Sequence, residues 1–475
     1  MDGVKMSVID PLLKKKKADL DVDAKKSYRP VNNLVFFSKL IERIVLRRLN
    51  VHMADNGLFI DSEFGYKKFH STDTMMLGIV NDVLLGFDEN KCTVIIFLDL
   101  SAAFDTIDIE KLLGILETEI GIGGTALQWF RSFLTGRTQK VRISSSFSKI
   151  LEVLFGAPQG SVLGPKLFNI YVRSQPKVFE MCRFTSSSFA DDTNGMKTFS
   201  LTFQYNILKN DIANCMKEIT NWMNAMFLKI NPDKTEILLL YTKAMEIEVI
   251  IKGTIFDGQC IRYSNEVKNV GVWLDKHLNL NKHINKIVSH CYKLIRNIGK
   301  IRNVLTKKHT EMLVHAGAAS RLDYCNSLFF NMSKENMYKL QKVQNAAARL
   351  VYRKKKSESV THILNELHWL PVESRIIFKL ILIVFKVIHG LCSKNLSVTY
   401  KGYNCRPDDY LLLETIAVKT KHGERTFDYA GPRLWNALPL NIRVEEKIES
   451  FKTKVKTHLF TGTDEFKGRA FKYTK

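Results

Sequence analysis

The chain has 475 residues, 45% of them apolar, which is length for about three domains or subdomains and enough core to exclude a disordered tail. With 71 Lys and Arg against 48 Asp and Glu, its formal net charge of +23 excludes an acidic protein and points to a polyanionic partner, most simply nucleic acid; a generic basic surface is the plainer alternative. Its cysteines (Cys92, Cys182, Cys215, Cys260, Cys291, Cys325, Cys392 and Cys405) form no CxxC pair, so they spell no zinc site and read as reduced, mostly buried thiols of an intracellular protein.

The first residues show no signal-peptide pattern, and the run Lys14 to Lys17 reads as a solvated basic arm, with nuclear import as its alternative. Tyr28-Arg29-Pro30-Val31 opens the ordered region. Leu40, Ile41, Ile44, Val45, Leu49 and Met53 recur at helical spacing, with Ser38 as cap, Arg43, Arg47 and Arg48 on the other side, and Asp55-Asn56-Gly57 as stop. Phe64 to Thr72 is a basic and aromatic turn suited to holding a phosphate through lysines and backbone amides; a plain basic loop fits the local sequence nearly as well.

Thr93 to Leu98 is a continuous, β-branched apolar run, expected as a strand buried on both faces. It ends on Asp99, and an acid there is costly unless paired or bound to metal. Helical patterns run to Leu134, followed by an expected hairpin around Gly136-Arg137 with Val141 and Ile143 on one face. Gly156 to Pro165 is a loop by composition and leads into an apolar helix from Leu167 to Val172. In Ser188-Phe189-Ala190-Asp191-Asp192-Thr193 two neighbouring carboxylates repel and need solvent or a cation; flanking strands place Asp191 at a hairpin tip. Acids delivered by separate strands to one place are what a two-magnesium site for phosphoryl transfer needs.

A long helix is expected from about Thr202 to Phe227, then a turn and strand over Leu228 to Leu238 with Lys234 at the join, then one short strand over Val267 to Leu274. From Lys282 an apolar stripe (Ile284, Ile287, Val288, Cys291, Leu294, Ile295, Ile298) predicts a helix whose off-stripe lysines face a duplex backbone or simply solvent. Beyond residue 310 the pattern stays helical to about His389. The segment Ile376 to Ile388 carries Lys379 and Lys386 and is too short to span a membrane.

Taken together, these motifs resemble the reverse transcriptase of non-LTR (LINE-type, jockey-like) retrotransposons. The resemblance rests on Tyr28-Arg29-Pro30-Val31, Phe97-Leu98-Asp99-Leu100-Ser101-Ala102-Ala103-Phe104-Asp105, Ala157-Pro158-Gln159-Gly160-Ser161, Phe189-Ala190-Asp191-Asp192, Asn231-Pro232-Asp233-Lys234-Thr235-Glu236 and Val270-Gly271-Val272. It extends to Gln344-Asn345-Ala346-Ala347-Ala348-Arg349 and Leu367-His368-Trp369-Leu370-Pro371. It implies an α+β right-hand polymerase: fingers and palm over residues 1–275, a thumb-like helical region over 276–350, and a C-terminal helical region of unknown role over 351–475.

Implied too are an RNA template, a DNA primer, deoxynucleoside triphosphates and two magnesium ions, with manganese as substitute, and neither a membrane nor an obligate protein partner. Asp99, Asp191 and Asp192, with the Leu100 carbonyl, would hold metal. Phe104 would exclude a 2′-hydroxyl, Gln159 and Gly160 would line the nascent base pair, and Lys234 would assist the leaving pyrophosphate. Lys67 stands where the family usually has a triphosphate-binding arginine, and lysine lacks that fork geometry. Phe189 replaces a tyrosine, Phe69 a small residue, and Thr185-Ser186-Ser187-Ser188 is more polar than a buried strand should be. Nothing in the chain corresponds to the family's endonuclease, so a copy truncated at its N-terminus is expected, with nuclear residence following from the family's chromosomal target. An inactive remnant that at most binds nucleic acid is the alternative to an active polymerase. An RNA-synthesising polymerase on the same palm is a third reading, which Phe104 disfavours.

Overall fold

The computed structural model describes residues 5–13, 28–101, 103–158, 160–200, 205–245, 254–256, 259–261, 263–402 and 411–461. The run Lys14–Lys17 and Gln159 lie outside them. Strand β1 (Met6–Leu13) pairs antiparallel with β2 (Tyr28–Asn33). Helix α1 (Phe36–Asp55) follows. Ser38 does not cap it: the N-cap is Val35, with no side-chain bond, and the Ser38 hydroxyl instead donates to Glu42 at 2.9 Å. The expected apolar stripe is also displaced. Ser38, Glu42, Leu49 and Met53 face inward while Leu40 and Ile44 are exposed, because the inner face carries a polar residue with a dedicated partner.

Helix α2 (Thr72–Asp88) begins at a full capping box, Ser71 accepting from the Thr74 amide and Thr74 from the Ser71 amide, a feature worth about 1 kcal/mol. Strand β3 (Cys92–Leu98) is buried at every residue, as the unbroken apolar run predicts. After β4 (Leu100–Ser101) come α3 (Ile109–Thr118) and α4 (Gly124–Leu134). The hairpin expected at Gly136-Arg137 lies later: β5 (Arg137–Ile143) turns at Ser144-Ser145 into β6 (Ser146–Phe147), pairs with β7 (Leu151–Val153), and runs parallel to β1. Gly136 precedes the strand rather than closing a turn.

Helices α5 (Gly164–Tyr171) and α6 (Gln175–Met181) lead to the hairpin of β8 (Thr185–Phe189) and β9 (Asp192–Phe199). Helix α7 (Tyr205–Ala225), β10 (Lys229–Ile230) and β11 (Glu236–Leu240) follow. A small hairpin of β12 (Thr254–Phe256) and β13 (Gln259–Ile261) precedes β14 (Tyr263–Ser264). The segment expected as one strand from Val267 to Leu274 is a hairpin, β15 (Glu266–Asn269) and β16 (Val272–Asp275), whose turn uses positive φ at Val270 and Gly271.

The central sheet has the order β14-β11-β3-β9-β8. Alternation along β3 splits the molecule into two cores. Val94, Ile96 and Leu98 join α3, α4, α5 and α7 on one face. Ile95 and Phe97 join α2 and the C-terminal helices on the other. β8 is the edge of this sheet and only half-buried, which suits the polar run Thr185–Ser188.

Most of the remaining described residues are helical: α8 (Asn281–Lys300), α9 (Lys307–Val314), a π-helical turn at His315–Ala319, α10 (Ser320–Asp323), α11 (Lys334–Tyr352), α12 (Thr361–Glu366), α13 (Val372–Ile388), α14 (Phe427–Asn436), α15 (Leu440–Arg443) and α16 (Ile448–Thr461). The inward stripe of α8 is the predicted one in most positions. No helix among the described residues is long and apolar enough to cross a membrane. Residues on both sides of position 350 share the α2-facing core, so α2 is walled in nearly all round. Its polar residues tie down the C-terminal half. Asp73 meets Ser327 (2.7 Å) and Lys379 (2.6 Å), Asn81 meets Asp428 (3.2 Å), and Asp88 takes the amides of Lys419 (3.0 Å) and Thr420 (2.7 Å).

Candidate active site

Three carboxylates converge because of strand register. Leu98, the last residue of β3, is opposite Thr193 of β9. Asp99 therefore leaves its strand beside the start of β9, where Asp192 sits. Phe189 pairs with Asp192 and closes a two-residue turn, Ala190-Asp191, with φ of +58° at Ala190. Positive φ at the first central residue matches hairpin twist but strains a residue with a Cβ.

That turn is buttressed. The Phe64 amide donates to Ser188 (2.8 Å) and the Ser188 amide to Ser62 (2.9 Å), so residues 62–64 lie along β8. Gly65 then abuts the turn, and a Cβ there would stand 2.5 Å from the Ala190 nitrogen. Tyr66, next in the chain, is thereby brought within reach of the Asp191 charge. Burial and the Asp191 charge both raise the pKa of Tyr66.

A second clamp holds Asp99. β10 pairs with β4, the Asn231 amide donates to the Asp99 carbonyl (2.8 Å), and the Asn231 carbonyl accepts from the Lys234 and Thr235 amides. This tight turn aims Lys234, whose ammonium donates to the Asp99 carboxylate at 3.0 Å. Burial, then the charges of Asp191 and Asp99, push Asp192 up to about 6, with Lys234 opposing. The donor set is all oxygen and mutually repulsive, which fits a hard divalent cation. Among the described residues no three acidic, imidazole or thiol groups stand in metal-holding geometry, and Asp99 is engaged by Lys234.

Phe104 packs its ring on Phe168 at 4.9 Å, and its carbonyl accepts from the Ala157 amide at 2.9 Å. The Gly156 amide donates to Ile107 at 2.8 Å. The loop that carries Gly160 is thus stitched to the segment that carries Phe104. Gly160 has φ of +86°, and a Cβ there would lie 2.9 Å from the Asn32 carbonyl at the end of β2.

The family described as reverse transcriptase (RNA-dependent DNA polymerase) matches residues 13–274, more than half of the 475. This chain belongs to the reverse transcriptase family. It is 27% identical over 352 residues to the probable RNA-directed DNA polymerase from transposon BS of Drosophila melanogaster, covering 69% of this chain and 36% of that protein. It is 26% identical over 273 residues to the RNA-directed DNA polymerase from the mobile element jockey of the same fly, covering 57% and 29%. The chain thus spans about a third of the length of the curated relatives it matches. A telomerase structure from Candida albicans, in complex with a TWJ fragment of telomeric RNA, covers 79% of this chain and 62% of that one at TM-score 0.37 and 12% identity.

Asp99, Asp191, Asp192 and Lys234 come together as one cluster. Lys67 stands apart in chemistry: its ammonium donates to the Ile60 carbonyl (2.7 Å) and faces Asp61 (3.8 Å), with burial lowering its pKa. Leu100 lies in the two-residue ladder with β10.

Sequence reasoning missed Glu42. Its buried carboxylate accepts from the Val162 (2.6 Å) and Leu163 (3.1 Å) amides and so fixes the loop after Gly160. Its signal was present: Ser38, Glu42, Leu49 and Met53 share one helical stripe. Gly65 and the buried pair Glu63 and Lys166, each with a side-chain atom lacking a hydrogen-bond partner, were also missed.

Proposed function

We propose that this chain is an RNA-directed DNA polymerase of retrotransposon origin, which adds deoxynucleotides to a DNA primer 3′-hydroxyl on an RNA template. The convergence of Asp99 with Asp191 and Asp192 beside Lys234, in a member of the reverse transcriptase family, carries this reading. Asp99, Asp191 and Asp192, with the Leu100 carbonyl, would hold two magnesium ions, manganese serving as substitute. Bound there, the metals supply Lewis-acid activation of the hydroxyl and neutralise the charge of the leaving pyrophosphate. Lys234 is the cation that balances the acids before substrate arrives and can donate a proton or charge to the pyrophosphate. Phe104 discriminates against ribonucleotides by filling the space of a 2′-hydroxyl, and Gly160, with Gln159 beside it in sequence, borders the nascent base pair. The nucleus is the proposed place of action.

The engagement of Asp99 by Lys234 favours one competing reading, a folded remnant that binds nucleic acid without catalysis. Primer extension decides between them. Purified protein receives an RNA template, an annealed DNA primer, magnesium and deoxynucleotides, beside an Asp191→Ala control. Extension that the control abolishes is the expected result. A folded protein that binds the duplex yet never extends it establishes the remnant.

A further inference from the structure

Two motifs in the C-terminal half, Gln344-Asn345-Ala346-Ala347-Ala348-Arg349 and Leu367-His368-Trp369-Leu370-Pro371, have no part in the acid site and lie outside the matched residues 13–274. The structure joins them. On α11, the Gln341 amide nitrogen donates to Gln344 (2.9 Å) and Asn345 (2.8 Å), the Gln344 amide nitrogen to the Leu370 carbonyl (2.8 Å), and Gln341 accepts from the Val372 amide (2.9 Å). All three side chains are buried. A buried hydrogen-bonded network of this kind favours one conformation, here that of the loop bearing His368 and Trp369. His368 is held at φ of +51°, which strains a residue with a side chain.

This loop forms one wall of a cavity of about 520 Å³, within the size range of small-ligand sites. His315, which opens the π-helical turn, an irregularity frequent at functional sites, also lines it. The His315 and Trp369 rings meet edge to face at 5.1 Å. Arg375, Lys379 and Lys456 supply positive charge to the lining. Arg375 and Lys379 are held by Asp323 and Asp73, whereas Lys456 is exposed and lies over the Phe460 ring, on whose other contact His368 sits edge-on. Trp369 is only 5% exposed and its indole nitrogen has no acceptor; buried Asn326, also in the lining, has an amide oxygen with no donor.

We infer that this cavity takes one unpaired nucleotide of a single-stranded RNA, its base against the Trp369, His315 and His368 rings and its phosphate toward Lys456. Rings with an unused donor and acceptor suit a heteroaromatic base, and a cationic rim suits a phosphate. The chain's charge of +23 brings such a strand to the surface. The site is separate from the acids, so its occupancy does not depend on polymerase activity.

The test is binding of a fluorescent oligouridylate to the intact chain by anisotropy, together with photocrosslinking of the same RNA carrying 4-thiouridine. Lys456→Glu is expected to weaken binding about tenfold or more, while Lys401→Glu, the same charge change at another exposed lysine, weakens it far less. Crosslinks are expected in the peptide holding His368 and Trp369, and to vanish with His368→Ala. Equal losses from both lysine variants with no crosslink in that peptide overturn the proposal. So does displacement of the RNA by free uridine monophosphate at equal concentration, which assigns the cavity to a mononucleotide, or by polyglutamate, which assigns it to an acidic peptide.

Discussion

A single methyl group at Gly65 would decide whether the acid-bearing turn keeps its place. The added Cβ would meet the Ala190 nitrogen at 2.5 Å, and backbone cannot rotate out of the way. Gly65→Ala is expected to cut primer extension by about a hundredfold, since displacements near 1 Å cost that much, while circular dichroism stays unchanged. Gly114→Ala, in α3 with nothing within 4 Å, is the matched control and should extend normally. Glu63 makes a pH-dependent prediction. Burial raises its carboxyl from 4.5 to about 7, against the charges of Lys166, Lys67 and Arg173. A raised acid pKa means that the folded state holds a proton the unfolded state has released, so stability falls as pH rises from about 4.5 to about 7. Glu63→Gln removes that loss. Relative to the variant, the wild type should lose up to about 3 kcal/mol between pH 5 and pH 8 in urea titrations. A difference that does not change with pH would rule this out.

Among the elements, α1 acts on the loop after Gly160 through one side chain. Glu42 gathers the Val162 and Leu163 amides and the Ser38 hydroxyl, so the helix and the loop after Gly160 are coupled. Glu42→Ala leaves two amides without their acceptor, each costing about 1–3 kcal/mol if buried. Hydrogen exchange at residues 160–163 should then speed up by about tenfold or more. Unchanged exchange there would show that other contacts hold the loop. β8 illustrates how an element's place overrides its composition: four polar residues in succession are tolerable because the strand is an edge with Ser62–Phe64 laid along it.

At the scale of the whole molecule, α2 is the axle. The central sheet packs on one side of it, and the helices after position 276 on the rest, so the C-terminal half completes a core that α2 begins. Asp88 at its end accepts from the Lys419 amide, the Thr420 amide and the Thr420 hydroxyl (2.8 Å). Asp88→Ala strips acceptors from all three and is expected to lower global stability by about 3 kcal/mol. A urea midpoint equal to wild type would mean that residues 411–425 add nothing to the fold's cooperativity.

Much of this was readable without coordinates. An unbroken apolar run ending on an acid has few uses, and β3 with Asp99 is the result. A 3.6-residue stripe needs only local spacing, so α8 is legible, and two acids between strand patterns announce the hairpin tip at Asp191. Local pattern cannot say which neighbour covers each face. The parity of β3 that divides the two cores, the edge position of β8 and the inward turn of Glu42 all depend on partners far away in the chain. The sequence determined the chemistry of the acids and their order; the tertiary structure alone decided their meeting, because register between β3, β9 and β11 is set by pairings across roughly a hundred residues or more, whose loop-closure cost no local signal records.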